Sequence, residues 1–247
     1  MALSALWIKK VKCPFCDHEF ETTRVRASAL KVKEKQTDFG SVFDGPCGYF
    51  YAVTACPSCL YSARNEDFET VRPEYEKRIM EACKKAAQSK GPRPDIYQAG
   101  EISAEAAIKR HELALAFLKL RSHVDLGELA GLSMHIAWIQ RLVGNPGGEA
   151  AAMEQALKAY EEYFEKGGKL PDKLGEPGVL YLIGELHLRL NRPRNARRNF
   201  ERALASKEIK SYPSIENITR DRILTAKEMM ERAAAAAAAA ASPAPQA

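Results

Sequence analysis

The first part of the chain alternates hydrophobic and polar residues with a period of two, and the rest repeats with a period near 3.6. Alternating runs at residues 23–26 and 49–54 predict half-buried β-strands. From Phe68 onward, apolar residues return every three or four positions, which predicts helices. The chain therefore divides into a module at residues 1–66, a helical domain at 67–232 and an alanine-rich tail at 233–247.

Glycine and proline clusters at residues 144–148 and 167–171 end helices, and Pro193 can begin a new one. Alanine has the highest helix propensity, so the polyalanine run can prolong the last helix, whereas the prolines after Ser242 predict a disordered end. The predicted helices lie at about residues 68–89, 104–122, 127–143, 148–166, 178–190, 194–206 and 215–232.

Composition and charge favour a cytoplasmic protein without a membrane span. The longest apolar run is the short polyalanine stretch, and a bilayer requires about 20 apolar residues. The first lysines follow the N-terminal apolar residues, which is the reverse of a secretory signal. The formal net charge of +5 is too small to indicate a nucleic-acid partner by itself, and the basic surplus lies in residues 189–232.

Two C-P-x-C motifs, at residues 13–16 and 56–59, indicate a metal site. A C-x-x-C turn directs two thiolates at one ion, and four thiolates complete the tetrahedral shell of structural zinc. We therefore expect one Zn²⁺ per chain on Cys13, Cys16, Cys56 and Cys59. The alternative is two redox pairs or local disulfides, but disulfides are unusual in a reducing cytosol.

The other thiols and the nearby histidine are expected to be structural. Cys47 has no paired cysteine, and Cys83 falls on the apolar face of a predicted helix, so both are expected to fill space. His18 follows Cys16 closely, but the four cysteines leave no ligand missing.

Alanines seven residues apart recur in the helical domain, and this spacing allows close helix approach. The last pair, together with Leu180, Gly184 and Phe200, fits the register of the tetratricopeptide repeat. The longer period of the earlier pairs, compared with about 34 residues in the standard unit, predicts divergent relatives with longer loops. The pairs are Ala107 and Ala114, Ala152 and Ala159, and Ala196 and Ala203.

Such a repeat exposes the first helix of each pair along a concave groove, where partner segments bind. The alternative for Trp138 is a core position, since tryptophan on an alanine-rich helix often packs inside. The register predicts a partner-binding groove lined by Trp138, Arg141, Tyr181, Glu185 and Arg189.

The segments CPFCDHEFETTRVRASALKVKEKQTDF, YFYAVTACPSCLYSARNEDF and VLYLIGELHLRLNRPRNARRNFERAL together resemble the bacterial family named domain of unknown function 2225. The likeness covers about residues 10–230. It implies a zinc-knuckle module with the four knuckle cysteines as ligands, followed by tetratricopeptide-like helices, and it implies no activity. A glycine commonly follows the second cysteine of the distal knuckle in this family, whereas this chain has Leu60; Asp17 at the equivalent proximal position tolerates a left-handed conformation better.

The expected fold is mainly α: a small four-cysteine, zinc-ribbon-like β module followed by an all-α tetratricopeptide-like helical repeat domain. Three functions are open, and a non-enzymatic adaptor that binds a protein or peptide is the first. A regulatory nucleic-acid-binding protein is the second, based on basic residues beside Tyr49 and Tyr51 and in the C-terminal part. These are Lys31, Lys33, Lys35, Arg192, Arg194, Arg197 and Arg198.

An enzyme is the least supported class. The chain has no nucleotide-binding glycine loop, no G-x-S-x-G and no H-E-x-x-H motif. A catalytic zinc would keep an open coordination position, which four cysteines close. His111 and His187 occupy packing positions of their predicted helices, so we expect core or rim roles for both.

Overall fold

A computed structural model describes residues 4–89, 99–166 and 174–241, and side chains up to residue 237. The chain forms two compact units, residues 1–156 and 157–247, which are described separately below. Strands are confined to the first unit within these residues. They are β1 (Leu6–Lys12), β2 (Glu19–Val25), β3 (Lys31–Lys35), β4 (Ser41–Asp44), β5 (Val53–Ala55) and β6 (Ser62–Arg64).

The strands pair as three antiparallel hairpins. β1 pairs with β2, β3 with β4 across a bulge, and β5 with β6. The C-P-x-C motifs occupy the turns of the first and third hairpins. The run at residues 49–54, predicted as one strand, instead begins with a 3-10 turn at Gly48–Tyr51, which buries the rings of Tyr49 and Tyr51 before β5 starts.

Helices fill the rest of the described chain, near the predicted positions. Ser103 and Asp125 cap two of them, because each side chain accepts the backbone N–H three residues on. The first predicted helix is the exception, since a 3-10 turn at Pro73–Tyr75 delays its start. The helices are α1 (Lys77–Gln88), α2 (Ala104–Leu118), α3 (Leu126–Leu142), α4 (Pro146–Glu165), α5 (Gly175–Arg189), α6 (Pro193–Ala205) and α7 (Pro213–Ala241).

The cysteine-bearing hairpins share one core with the first helices. Ile79 and Cys83 from α1 and Phe117 from α2 pack in the same cluster as Cys13 and Tyr61. The predicted module boundary at residue 66 therefore falls inside the first compact unit, because two hairpins of this size have too little apolar surface to bury without the helices.

In the second unit, α6 packs against both α5 and α7. Gly184 of α5 faces α6 so closely that a Cβ there would lie 2.6 Å from the ring of Phe200 and 3.2 Å from the carbonyl oxygen of Ala196. The buried carboxylate of Glu185 accepts hydrogen bonds from Arg189 and from Arg222 of α7. These contacts fix the three helices against one another. Among all the described residues, no helix is both long and apolar enough to cross a membrane.

Candidate metal centre

The proximal knuckle is a tight turn between β1 and β2. The backbone N–H of Cys13 donates to the carbonyl of His18 at 2.9 Å, and the N–H of Asp17 donates to the carbonyl of Cys13 at 3.0 Å. Asp17 has a φ of 58°, in the left-handed region that aspartate tolerates. The turn thus places the sulfurs of Cys13 and Cys16 on one side.

The distal knuckle repeats this geometry between β5 and β6. The N–H of Cys56 donates to the carbonyl of Tyr61 at 2.8 Å, and the N–H of Leu60 donates to the carbonyl of Cys56 at 3.0 Å. Leu60 has a φ of 66°, so this turn imposes on a leucine the conformation that favours glycine. The same backbone form therefore occurs twice, once with a well-suited residue and once with a strained one.

The four knuckle sulfurs converge, with all Sγ atoms within 4.8 Å of one another. Cys13 Sγ lies 3.5 Å from Cys59 Sγ, and Cys16 Sγ lies 3.7 Å from Cys56 Sγ. Cys13, Cys56 and Cys59 are 0% exposed, and Cys16 is half-buried. This arrangement of four soft ligands can hold a metal ion, as the spacing of the cysteines predicts.

The electrostatics of the crowded thiols show why a cation suits the cluster. Hydrogen bonds from Cys13 and then Cys59 lower the pKa of Cys56 to about 2. Contact with Cys56 raises the pKa of Cys13, and contact with Cys13 raises that of Cys59. One thiolate is thus favoured at the expense of its neighbours, whereas a cation at the centre would neutralise several thiolates together.

Aromatic rings surround the sulfur cluster. The ring of Tyr61 lies 4.5 Å from that of Phe15, 5.0 Å from that of Phe68 and 5.5 Å from that of Phe117, measured between centroids. These rings give the cysteine pairs an apolar surrounding. His18 is exposed and stacks on Phe20 instead of joining the sulfurs.

The sequence interpretation missed two features of this surrounding. Cys83, expected only to fill space, contacts the sulfur of Cys59 from α1. Glu128 of α3 is buried and pairs with Arg121 at 3.0 Å and with Arg64 of β6 at 3.6 Å. The apolar period of α1 could have suggested the first contact, but no local pattern indicates that Arg64 of β6, distant in sequence, meets Glu128.

The predicted groove residues of the first unit make internal contacts. The ring centroid of Trp138 lies 4.9 Å from that of Tyr49, and Trp138 packs in the core cluster of that unit. Arg141 pairs with the buried carboxylate of Asp38 at 2.6 Å and with Glu149 at 2.7 Å. Trp138 therefore packs α3 against the turn that carries Tyr49, and Arg141 holds the β3–β4 turn and α4 against α3.

Two of the three predicted groove residues of the second unit, Tyr181 and Glu185, are buried. Tyr181 is 0% exposed and packs 5.7 Å from the ring of Phe200, and Glu185 is 0% exposed between Arg189 and Arg222. A groove-facing position for Tyr181 and Glu185 does not agree with this burial. The physical reason is that α6 packs its Phe200 ring against Tyr181, and α7 brings Arg222 to the carboxylate of Glu185.

The basic residues considered for nucleic acid are distributed over separate surfaces. Lys31, Lys33 and Lys35 are all exposed on β3. On α6, Arg197 pairs with Glu201 at 2.7 Å, and Arg194 and Arg198 line different recesses.

The fold and the cysteine cluster define a class: a four-cysteine metal-knuckle module of antiparallel hairpins, followed by helices. A comparison with known families matches residues 6–226 to one described as uncharacterized protein conserved in bacteria (DUF2225). The chain belongs to this family, as the motif resemblance predicted. A search of the curated proteins finds no match.

Proposed function

We propose that this protein is a non-enzymatic interaction adaptor, in which a structural zinc ion holds the N-terminal hairpins and the helices bind a protein or peptide partner. The observation that carries the proposal is the closed sulfur shell. Four cysteines surround a single point and are largely buried, so an ion held by all of them keeps no position for substrate or water. Such a site is therefore typical of a structural metal ion that stabilises the fold.

The sulfur spacing supports zinc in particular. Zn–S bonds of about 2.3 Å in a tetrahedron separate neighbouring sulfurs by about 3.8 Å. The Cys13–Cys59 and Cys16–Cys56 separations of 3.5 and 3.7 Å are close to this edge length. Backbone N–H groups of Ser58 and Cys59 also point at Cys56 Sγ, which is how knuckle turns stabilise bound thiolates.

The burial pattern of the helices supports a tetratricopeptide-like stack. All six alanines of the repeated pairs are buried, which is what close helix packing at these positions requires. Gly184 against Phe200 adds the close approach expected within one helix pair. Such stacks present extended surfaces for partner segments. The alanines are Ala107, Ala114, Ala152, Ala159, Ala196 and Ala203.

We place the adaptor in the bacterial cytoplasm. The structure describes all six cysteines, and none of them forms a disulfide. Free thiols persist in a reducing compartment.

Two measurements test the proposal. Native mass spectrometry of the freshly purified chain should give a mass excess of one zinc ion, which disappears on denaturation. Affinity purification from the native cell, analysed by mass spectrometry after nuclease treatment, should recover a protein in a constant ratio to the chain. Disulfides within the knuckles instead of a bound metal would contradict the structural zinc site. Recovery of nucleic acid without a protein partner would contradict the adaptor function.

Nucleic-acid binding is the second candidate, favoured by the alternating lysines on β3. Lys31, Lys33 and Lys35 are exposed on one strand, which suits contacts to a phosphate backbone. If this is the function, the affinity for single-stranded RNA should fall steeply as salt rises, and changing the three lysines to glutamate should abolish it. Replacing Lys77, Lys84 and Lys85 of α1 by glutamate gives a control with the same change of charge.

A further inference from the structure

A polar cleft of about 290 Å³ opens within the second unit, between the end of α4 and the faces of α5 and α6. Its lining residues include none of the knuckle cysteines and none of the predicted groove residues. Its two long walls carry opposite charge, since Glu161 and Glu165 come from α4 and Arg198 and Arg202 come from α6.

The basic wall is one pair of arginines a helical turn apart. The Arg202 guanidinium lies 5.2 Å above the centre of the Phe164 ring and donates to Asn199 Oδ1 at 3.2 Å, so its position is fixed. Arg198 is exposed and makes no hydrogen bond or ion pair with any described residue. The planar forks of two arginines suit a carboxylate, which each can bind with two parallel hydrogen bonds.

The acidic wall is a matching pair of glutamates. Glu161 accepts a hydrogen bond from His187 Nε2 of α5 at 3.1 Å, which orients its carboxylate. Within the described part of the chain, Glu165 is exposed and has no ion pair. Each wall therefore holds two like charges four residues apart, an arrangement that destabilises a helix unless another charge compensates it.

The two walls do not neutralise each other. No ion pair joins either glutamate to either arginine across the cleft among the described residues, although α4 and α6 are close enough for Arg202 to rest on Phe164. The volume is near the lower limit of about 300 Å³ for small-ligand pockets, which is enough for a few side chains and too small for a folded element. The charge pattern complements a ligand that carries both signs.

We propose that this cleft binds an extended peptide segment of a partner protein, with an acidic side chain against Arg198 and Arg202 and a basic side chain against Glu161 and Glu165. The proposal rests on the adaptor function and supplies the chemical class of its partner. It places the partner site between α4 and α6, instead of at the buried Tyr181 and Glu185 of α5.

Selection from a displayed library of short random peptides on the zinc-loaded full chain tests this inference. We expect the selected peptides to contain an acidic and a basic residue at a constant spacing. Binding of a selected peptide should fall roughly tenfold or more in the double variant Arg198→Glu, Arg202→Glu. The double variant Arg194→Glu, Lys207→Glu is the matched control, because it changes the same charge on exposed side chains outside the cleft.

A charge reversal in the peptide distinguishes loss of the cleft contact from misfolding of the variant. Replacing the acidic residue of a selected peptide by lysine should restore its binding to the glutamate variant, which a merely misfolded variant could not do. If the glutamate variant loses its helical circular dichroism, Arg198→Gln with Arg202→Gln replaces it, and the same loss of binding is expected.

The inference is overturned if selection gives no peptides, if the peptides lack paired charges, or if the cleft variant binds as tightly as the wild type. Failure of the cleft is distinguishable from failure of the adaptor proposal. A native partner that binds the cleft variant and the wild type equally leaves the adaptor standing and refutes the cleft. Charge-dependent peptide binding by a chain that captures no cellular protein supports the cleft and refutes the adaptor.

Discussion

The two compact units are held together by different means. The first unit contains three two-stranded hairpins, each too small to be stable alone, and its described core joins four cysteines to aromatic rings and helix faces. The second unit consists of helices that satisfy their own backbone hydrogen bonds and pack at short sequence separations. Cohesion of the cysteine hairpins with α1 therefore depends on one centre, whereas in the second unit cohesion is spread along the helices.

The two units also differ in the polar groups that they bury. In the first unit, His111 donates from Nδ1 to the carbonyl of Ala107 at 2.8 Å, and its Nε2 lies 3.3 Å from Nδ1 of His135. This pair is neutral. In the second unit, the buried carboxyl group of Glu185 is paired with two arginines. The comparison predicts that metal loss and acid weaken the first unit, and that core substitutions in α5 weaken the second.

The largest expected effect is loss of the metal from the first unit. Cys56→Ser removes one ligand of the closed shell, and structural zinc contributes roughly 10 kcal/mol or more in small modules. We expect zinc to be lost and hydrogen exchange to accelerate in the cysteine hairpins and in α1, because Cys83 and Ile79 share their core. Exchange of α5, α6 and α7 should not change. Hydrogen-exchange mass spectrometry resolves these segments.

Cys47→Ser is the control for this substitution, since Cys47 lies outside the sulfur cluster. It should keep one zinc ion and near-wild-type exchange. Equal acceleration in both units of Cys56→Ser would contradict the separation of the two cores. Retained zinc in that variant would contradict a four-cysteine site.

The next largest effect is expected for Tyr181→Ala in the second unit. Truncation of a fully buried aromatic ring costs about 3–5 kcal/mol. Tyr181→Phe keeps the ring against Phe200 and is the matched control. Urea unfolding followed by circular dichroism measures the change, and native mass spectrometry should show zinc retained in both variants. A stable Tyr181→Ala variant would show that Tyr181 is not a core residue.

An intermediate effect is expected from acid on the first unit. Burial lowers the pKa of His111 to about 4 and that of His135 to about 3, with smaller contributions from Arg110 to the first and from His111 and Arg64 to the second. Both values lie below the unfolded value of about 6.5. The unfolded state therefore binds more protons as the pH falls below 6.5, and stability decreases, by up to about 1.4 kcal/mol per pH unit for each histidine.

Thiolates of the proposed metal site would also take up protons in acid, so the histidine contribution must be measured by difference. Between pH 7 and 5, the unfolding free energy of the first unit should decrease less steeply in His111→Gln than in the wild type. His123→Gln, at an exposed position, should keep the wild-type slope. Identical slopes in all three proteins would refute the neutral histidine pair as a source of acid sensitivity.

The smallest effect distinguishes the two knuckles from each other. Leu60→Gly relieves a left-handed conformation that is costly for leucine, and should stabilise the zinc-bound chain by at most about 1 kcal/mol. Asp17→Gly should stabilise the chain by less than Leu60→Gly does, because aspartate tolerates the left-handed conformation. Thermal unfolding of the two variants side by side measures the difference. A larger gain at Asp17 would reverse our interpretation of the strain.

The sequence was sufficient for features that local chemistry determines. The cysteine spacing predicted which four sulfurs meet, and apolar periodicity with glycine and proline breaks located the helices. It was not sufficient where distant segments compete for one surface. The register of α5 placed Tyr181 and Glu185 on a groove, but Phe200 of α6 packs on the first and Arg222 of α7 pairs with the second. Likewise, no motif indicated that α1 would complete the core of the cysteine hairpins.

The exposed strand β3 has a consequence for how copies of this chain meet. Among the described residues, β3 pairs with β4 alone, so the other side of β3 presents backbone groups without a strand partner. Such an edge is a template on which a strand from another molecule can add. Lys31, Lys33 and Lys35 place three positive charges along five residues of this edge, and a second copy would bring the same charges against them. We therefore expect the three lysines to disfavour pairing of this edge with the same edge of a second copy.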